Sequence, residues 1–193
     1  MSEEHILPNE PSRADLKKMD EMLVYGQRLD ASDITIQTDE PIFAEIYGRL
    51  YPITKRRLTN TEVGDMLNAI YGPNGTAQIL SGHDLDTHYE VRPNRVERFR
   101  YRVNGTGCQV SGHDGLQITL RTIPTTPPPL DSLDLPPDIL EAIAPHQGVV
   151  YVTGATGSGK STLLASIIRE LAEQTESHRK ILTYESPIEF VFD

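Results

Sequence analysis

The chain has 193 residues, 37% of them hydrophobic and 24% charged, which suits one or two ordinary globular domains. With 18 lysines and arginines against 28 acids, the formal net charge of −10 excludes a general surface for polyanions, so no direct nucleic-acid partner is expected. Cys108 is the only cysteine, so no intramolecular disulfide can form, and the default setting is a reducing cytoplasm. The start carries acids and no long apolar stretch, so neither a secretory signal nor a membrane span is predicted.

The first predicted element is a helix on which Leu16, Met19 and Leu23 share one face. Ile34 and Ile36 then alternate with polar residues as in a strand, and Tyr47-Gly48-Arg49 reads as a turn between two more short strands. Thr59 and Glu62 stand at the spacing of a capping box, followed by Val63, Met66, Leu67 and Ile70 as the buried stripe of a second helix. Residues 85–123 read mostly as strand, with turns near Pro93-Asn94, Asn104-Gly105 and residues 112–115. Within this stretch Arg98, Arg100 and Arg102 alternate with Phe99, Tyr101 and Val103, giving one cationic and one apolar strand face. Such arginines are often solvated or paired with acids, but a cationic face can also hold an anion. Asp84, Asp86, His88 and Glu90 share a strand face as well. With no cysteine or His-Glu-x-x-His spacing nearby they read as an ordinary strand rather than a metal site. The sum is a small α+β domain over residues 1–121.

A proline-rich linker, residues 122–136, follows. Half of the 14 prolines fall between Pro124 and Pro145, and polyproline-like chain cannot join a sheet interior. Pro137 is placed to open a short helix carrying Ile139, Leu140 and Ile143 on one side.

The remaining residues, 137–193, contain the most specific signal. Residues 154–161 read G-A-T-G-S-G-K-S, the G-x-x-x-x-G-K-[ST] pattern of a phosphate-binding P-loop. Gly154, Ala155, Thr156, Gly157, Ser158, Gly159, Lys160, Ser161 and Thr162 are the predicted nucleotide contacts. Glycines let successive N–H groups turn inward on phosphate oxygens, at the N-terminus of a helix whose dipole favours the same charge. Lys160 then reaches the β- and γ-phosphates, and the Ser161 hydroxyl ligates Mg2+. The context agrees, with an apolar run at residues 149–152 as the entering strand and Leu163, Leu164, Ile167, Ile168 and Leu171 at helical spacing after the loop. A second strand is predicted at residues 181–184, ending at Glu185. Alone, such an acid reads as a solvated strand end. Beside a P-loop helix it becomes a candidate to orient or deprotonate an attacking water, with Glu189 a further metal-shell candidate. Two parallel strands do not make a domain, so the sequence is expected to be part of a longer enzyme.

The residues G-A-T-G-S-G-K-S-T with T-Y-E-S-P-I-E-F resemble the PilT-like type II/IV secretion ATPases, and specifically their type IVB (Dot/Icm) and conjugation branch. Ala31-Ser32-Asp33-Ile34, Arg100-Tyr101-Arg102-Val103-Asn104 and Arg121-Thr122-Ile123-Pro124 are similar to landmarks of that family's first domain, so the resemblance covers nearly the whole chain. It implies a PAS-like first domain and the start of an α/β RecA-like ATPase domain, ATP and Mg2+ as ligands, and a homo-hexameric ring. It implies arginines of the first domain closing over the phosphates, for which Arg102 and Arg121 are the candidates beside catalytic Lys160 and Glu185. It also implies peripheral recruitment to inner-membrane secretion components, with protein substrates handled indirectly. Two departures stand out. Glu185-Ser186-Pro187 replaces the family's Glu-Asp-Pro, and no counterpart of a further family arginine occurs in residues 110–116, where His113 sits instead. Two other readings stay open: a nucleotide-regulated scaffold that does not turn over efficiently, and a P-loop kinase, which the long first domain disfavours.

Overall fold

A computed structural model describes residues 5–124, 126–143, 147–174, 180–185, 188–190 and 192, in two compact units, Met1–Ile123 and Pro124–Asp193. Ser186 and Pro187, part of the acidic block singled out above, lie outside the described residues.

The first unit is an α+β domain around one six-stranded antiparallel sheet. Its elements in chain order are α1 (Leu16–Arg28), β1 (Asp33–Gln37), β2 (Phe43–Ile46), β3 (Arg49–Pro52), α2 (Asn60–Tyr71), α3 (Gly75–Leu80), β4 (Leu85–Val91), β5 (Phe99–Val110) and β6 (His113–Ile123). The sheet order is β3-β2-β1-β6-β5-β4, so the first and last strands pair at its centre, Ile34 opposite Leu120 and Ile36 opposite Ile118. Two hairpins close on two-residue turns, Tyr47-Gly48 and Ser111-Gly112. All four residues have positive φ, which matches the right-handed twist of the flanking strands.

Alternation sorts the strands into two faces. Ile34, Ile36, Ala44, Tyr101, Val103, Ile118 and Leu120 join Met19, Leu23, Val63, Met66 and Leu67 of the helices in one buried core. The opposite face carries Asp33, Asp86, His88, Glu90, Arg100, Arg102 and Arg121. Met19 and Leu23 are buried as the helical spacing predicts, but Leu16, the first residue of α1, is 44% exposed, and Ala14 just ahead of the helix is buried.

The capping box forms as read. The Thr59 hydroxyl accepts from the Glu62 amide, and the Glu62 carboxylate accepts from the Thr59 amide at 2.9 Å. Glu62 does more than cap. It also accepts from the Ala14 amide at 2.9 Å and from the Arg56 guanidinium at 2.9 Å, joining the segment before α1 to α2. Burial alone would raise its pKa, but the Arg56 guanidinium, the Ala14 and Thr59 amides and the Thr59 hydroxyl together lower it from 4.5 to about 2.

The turn expected at Asn104-Gly105 is absent, and β5 runs straight through it. Gly105 faces the helices, and a Cβ there would stand 3.0 Å from Leu67 Cδ1 and 3.1 Å from Ile79 Cδ1. The glycine permits a close approach of α2 and α3 to the sheet rather than a change of direction.

The second unit contains a 3₁₀ turn Leu130–Leu133, α4 (Pro137–Ala142) and α5 (Lys160–Glu173), with Pro137 in the first turn of α4 as expected. Neither residues 149–152 nor 181–184 form a strand. Val149 is 74% exposed, Tyr151 85%, Leu182 65% and Tyr184 94%. Apolar runs adopt a parallel ladder only with hydrogen-bonding neighbours and covered faces, and no strand is present in this unit among the described residues. The same lack of cover leaves Leu164 of α5 44% exposed, while Ala165, Ser166 and Ile167 are buried.

Candidate nucleotide site

The loop before α5 has the backbone its sequence demands. Gly157 and Gly159 have φ of 79° and 86°, a region closed to most side chains, and Gly159 is the residue from which α5 starts, its carbonyl accepting from the Leu163 amide at 2.9 Å. A Cβ on Gly154 would stand 2.8 Å from Ser158 Oγ, and the Ser158 amide donates to the Ala155 carbonyl at 3.2 Å, so the loop is a tight turn. Lys160 Nζ donates to the Ala155 carbonyl at 2.8 Å, folding its ammonium back over the same loop. Ser161 and Thr162 follow in the first turn of α5. Thr162 is fixed further by the buried Ser166 hydroxyl, which donates to its carbonyl at 2.9 Å. A cation, a hydroxyl and a curled backbone at a helix start are the features by which such loops can hold a polyphosphate.

Beside α5 lies a cavity of about 310 Å³ to which Ser161, Glu185 and Glu189 all contribute, with Leu164, Ile168 and Phe190 as its apolar walls. The Glu189 amide donates to the Glu185 carboxylate at 3.4 Å. One hydroxyl and two carboxylates are an all-oxygen donor set, the kind that suits Mg2+. The two predicted acids therefore share a cavity with the predicted metal-binding serine.

The other two predicted residues, Arg102 and Arg121, are direct cross-strand partners on β5 and β6, on the face away from the helices. Arg121 Nε donates to Asp33 Oδ1 at 2.9 Å, the arginine being 70% exposed and the aspartate 12%. Arg102 reaches Asp86 more loosely, at 3.6 Å. Arg100 instead is bound at 2.6 Å to Glu90, which Arg92 also contacts, and the two guanidinium groups hold that carboxyl below its usual range. Among the described residues no three or more His, Cys, Asp or Glu side chains are grouped as a metal cluster, on this sheet face or elsewhere. Asp84 accepts from the Thr106 hydroxyl, and Asp86 and Glu90 face arginines.

Comparison with known proteins fixes the family. The model of the type II/IV secretion system proteins matches residues 89–193, more than half of the chain. The chain belongs to that family. It is 67% identical to the Legionella pneumophila ATPase DotB, whose X-ray structure it matches with a TM-score of 0.79 over 98% of this chain and 52% of that one. The pilus retraction motor PilT, solved with bound ADP, matches at 29% identity and a TM-score of 0.71, over 91% of this chain and 48% of that one. A twitching motility protein of Neisseria gonorrhoeae is 35% identical over 146 residues, 76% of this chain and 36% of the relative. The chain thus spans about half the length, or less, of the relatives it matches.

Two pairs of residues near the candidate site residues of this secretion-family chain are invisible to motif reading. Asp33 and Asp86 hold the arginines, and only the strand register that sets Asp33 against Arg121 reveals the pair. Leu133 and Leu135, on the chain leading to the loop, also come beside it. Their only signal is a short leucine alternation behind the proline run.

Proposed function

We propose that the whole protein is an ATP-hydrolysing motor subunit that drives type IVB secretion or conjugative transfer. The observation that carries this reading is the P-loop backbone, with left-handed glycines, Lys160 and Ser161 at the head of a 14-residue helix, in a chain of the type II/IV secretion family. In this reading the first unit is the PAS-like domain and the second the opening of a RecA-like domain. Six copies form a ring in the cytoplasm, recruited peripherally to inner-membrane secretion components and acting on protein substrates indirectly.

Phosphate oxygens enter the loop against the N–H groups of residues 154–161, and Lys160 leaves the Ala155 carbonyl to meet the β- and γ-phosphates. The Ser161 hydroxyl, with Glu189 of the same cavity, would hold Mg2+, which would neutralise charge on the phosphate chain. Glu185, in the same cavity, orients the attacking water or accepts its proton. Arg102 and Arg121 exchange their aspartates for the γ-phosphoryl oxygens, where arginine contacts accelerate hydrolysis by roughly 10³ to 10⁵ in other NTPases. Residues 1–193 alone bind nucleotide without steady turnover, in keeping with a chain that spans about half of its relatives.

Phosphate release by the whole protein is the decisive measurement. Steady MgATP hydrolysis that Lys160→Ala lowers at least about a hundredfold supports the motor. Binding without turnover in the whole protein would leave a nucleotide-regulated scaffold instead.

A further inference from the structure

β4 is an edge strand of the sheet, and its pairing with β5 ends at Val91 opposite Phe99, which leaves a connection of seven residues, 92–98. The β2–β3 and β5–β6 hairpins turn in two residues, and such loops usually take about two to five, so this one is longer than the turn requires. It is shaped from within. Asn94 Oδ1 accepts from the Val96 and Glu97 amides, both at 2.8 Å, Asn94 Nδ2 donates to the Glu97 carboxylate, and Arg92 is bound to Glu90 at the base of the loop. These bonds leave Arg95 and Val96 facing outward. Val96 is 88% exposed, and the Arg95 side chain, exposed beside it, makes no ion pair among the described residues.

Residues 92–98 carry three arginines and one glutamate in a chain whose formal net charge is −10. An acidic partner is therefore repelled by most of the chain and drawn to this loop, which sets both where and how it lands. We propose that the 92–98 loop docks an acidic segment of another protein, with a carboxylate in the planar donor fork of Arg95 and a neighbouring aliphatic side chain covering Val96. An anionic bilayer fits less well. Electrostatic attachment to lipid takes clusters of about four to eight basic residues, and the acidic total of this chain opposes it. Because Asn94 fixes the loop, Arg95 and Val96 need little further ordering when the partner arrives. The contact is small, so the complex is transient and weakens with salt. It shares no residue with the candidate nucleotide site.

The test follows fluorescence anisotropy of two labelled short peptides, one alternating glutamate with leucine and one alternating glutamate with serine, against the wild-type chain and Arg95→Glu, Arg95→Lys and Val96→Ser. Cosedimentation with phosphatidylglycerol vesicles and sedimentation velocity of the chain alone complete the set. Expected is saturable, salt-sensitive binding of the glutamate–leucine peptide, at least about fivefold tighter than that of the glutamate–serine peptide. Arg95→Glu should weaken it by about tenfold or more and Val96→Ser by about fivefold, while Arg95→Lys stays within about threefold of wild type. No saturable binding of the glutamate–leucine peptide overturns the docking role, and so does binding that neither Arg95→Glu nor Val96→Ser changes. Vesicle binding or self-association that Arg95→Glu abolishes overturns it as well, since the occupant would then be lipid or a second copy of the chain.

Discussion

Single residues hold each unit's critical joint. Gly159 starts α5 from a left-handed backbone that a Cβ would strain, and Gly159→Ala is expected to cost the second unit about 1–2 kcal/mol, read from urea denaturation. Glu62 is the equivalent joint of the first unit. Its pKa is depressed in the fold, so its stabilisation is fully present above the ordinary value of 4.5 and is lost as the pH falls toward about 2. A depression of that size amounts to about 3 kcal/mol for this nearly buried carboxylate. Chemical denaturation between pH 5 and 2 should show the first unit weakening by that order. Glu62→Gln should be less stable by about 2–4 kcal/mol at pH 7, because Arg56 loses its counter-charge, and should lack most of the acid dependence.

At the scale of elements, packing density decides what a sequence pattern becomes. Gly105→Ala should cost about 1 kcal/mol and Gly105→Val about 3 kcal/mol, seen as a lowered melting temperature, since either side chain enters the space of Leu67 and Ile79. This position also shows why some of the fold was illegible. Asn-Gly is a strong turn signal, and only the helices lying over β5 reveal that the glycine serves a close contact. Where one element contains its own reasons, reading succeeded: the Thr59–Glu62 box, the Ile34/Ile36 alternation and the Tyr47-Gly48 turn are local and formed as expected. The runs at 149–152 and 181–184 depend on neighbours, and their composition could not say whether neighbours were at hand. The candidate site divides in the same way. The loop glycines and Lys160 are legible as a contiguous motif, whereas Asp33, Asp86 and Leu135 enter only through register or a bend in the chain.

On the whole molecule, the two compact units should announce themselves as separate transitions with different sensitivities. MgATP at about a hundred times its Kd is expected to stabilise the second unit by about 2.7 kcal/mol in a thermal or denaturant scan. If Arg102 and Arg121 close over the phosphates as proposed, nucleotide also raises the first transition, and Arg121→Ala removes that rise while leaving the other. A first transition indifferent to MgATP would take both arginines out of the site.

The central seam of the sheet joins its earliest strand to its latest, Asp33 to Arg121 at one end and Gln37 to Gln117 at the other. During synthesis β1, β2 and β3 therefore emerge with the β1 edge bare, and no amount of waiting can cover it until β6 clears the ribosome. The six-stranded sheet can therefore be completed only once β6, the last of its strands, is made.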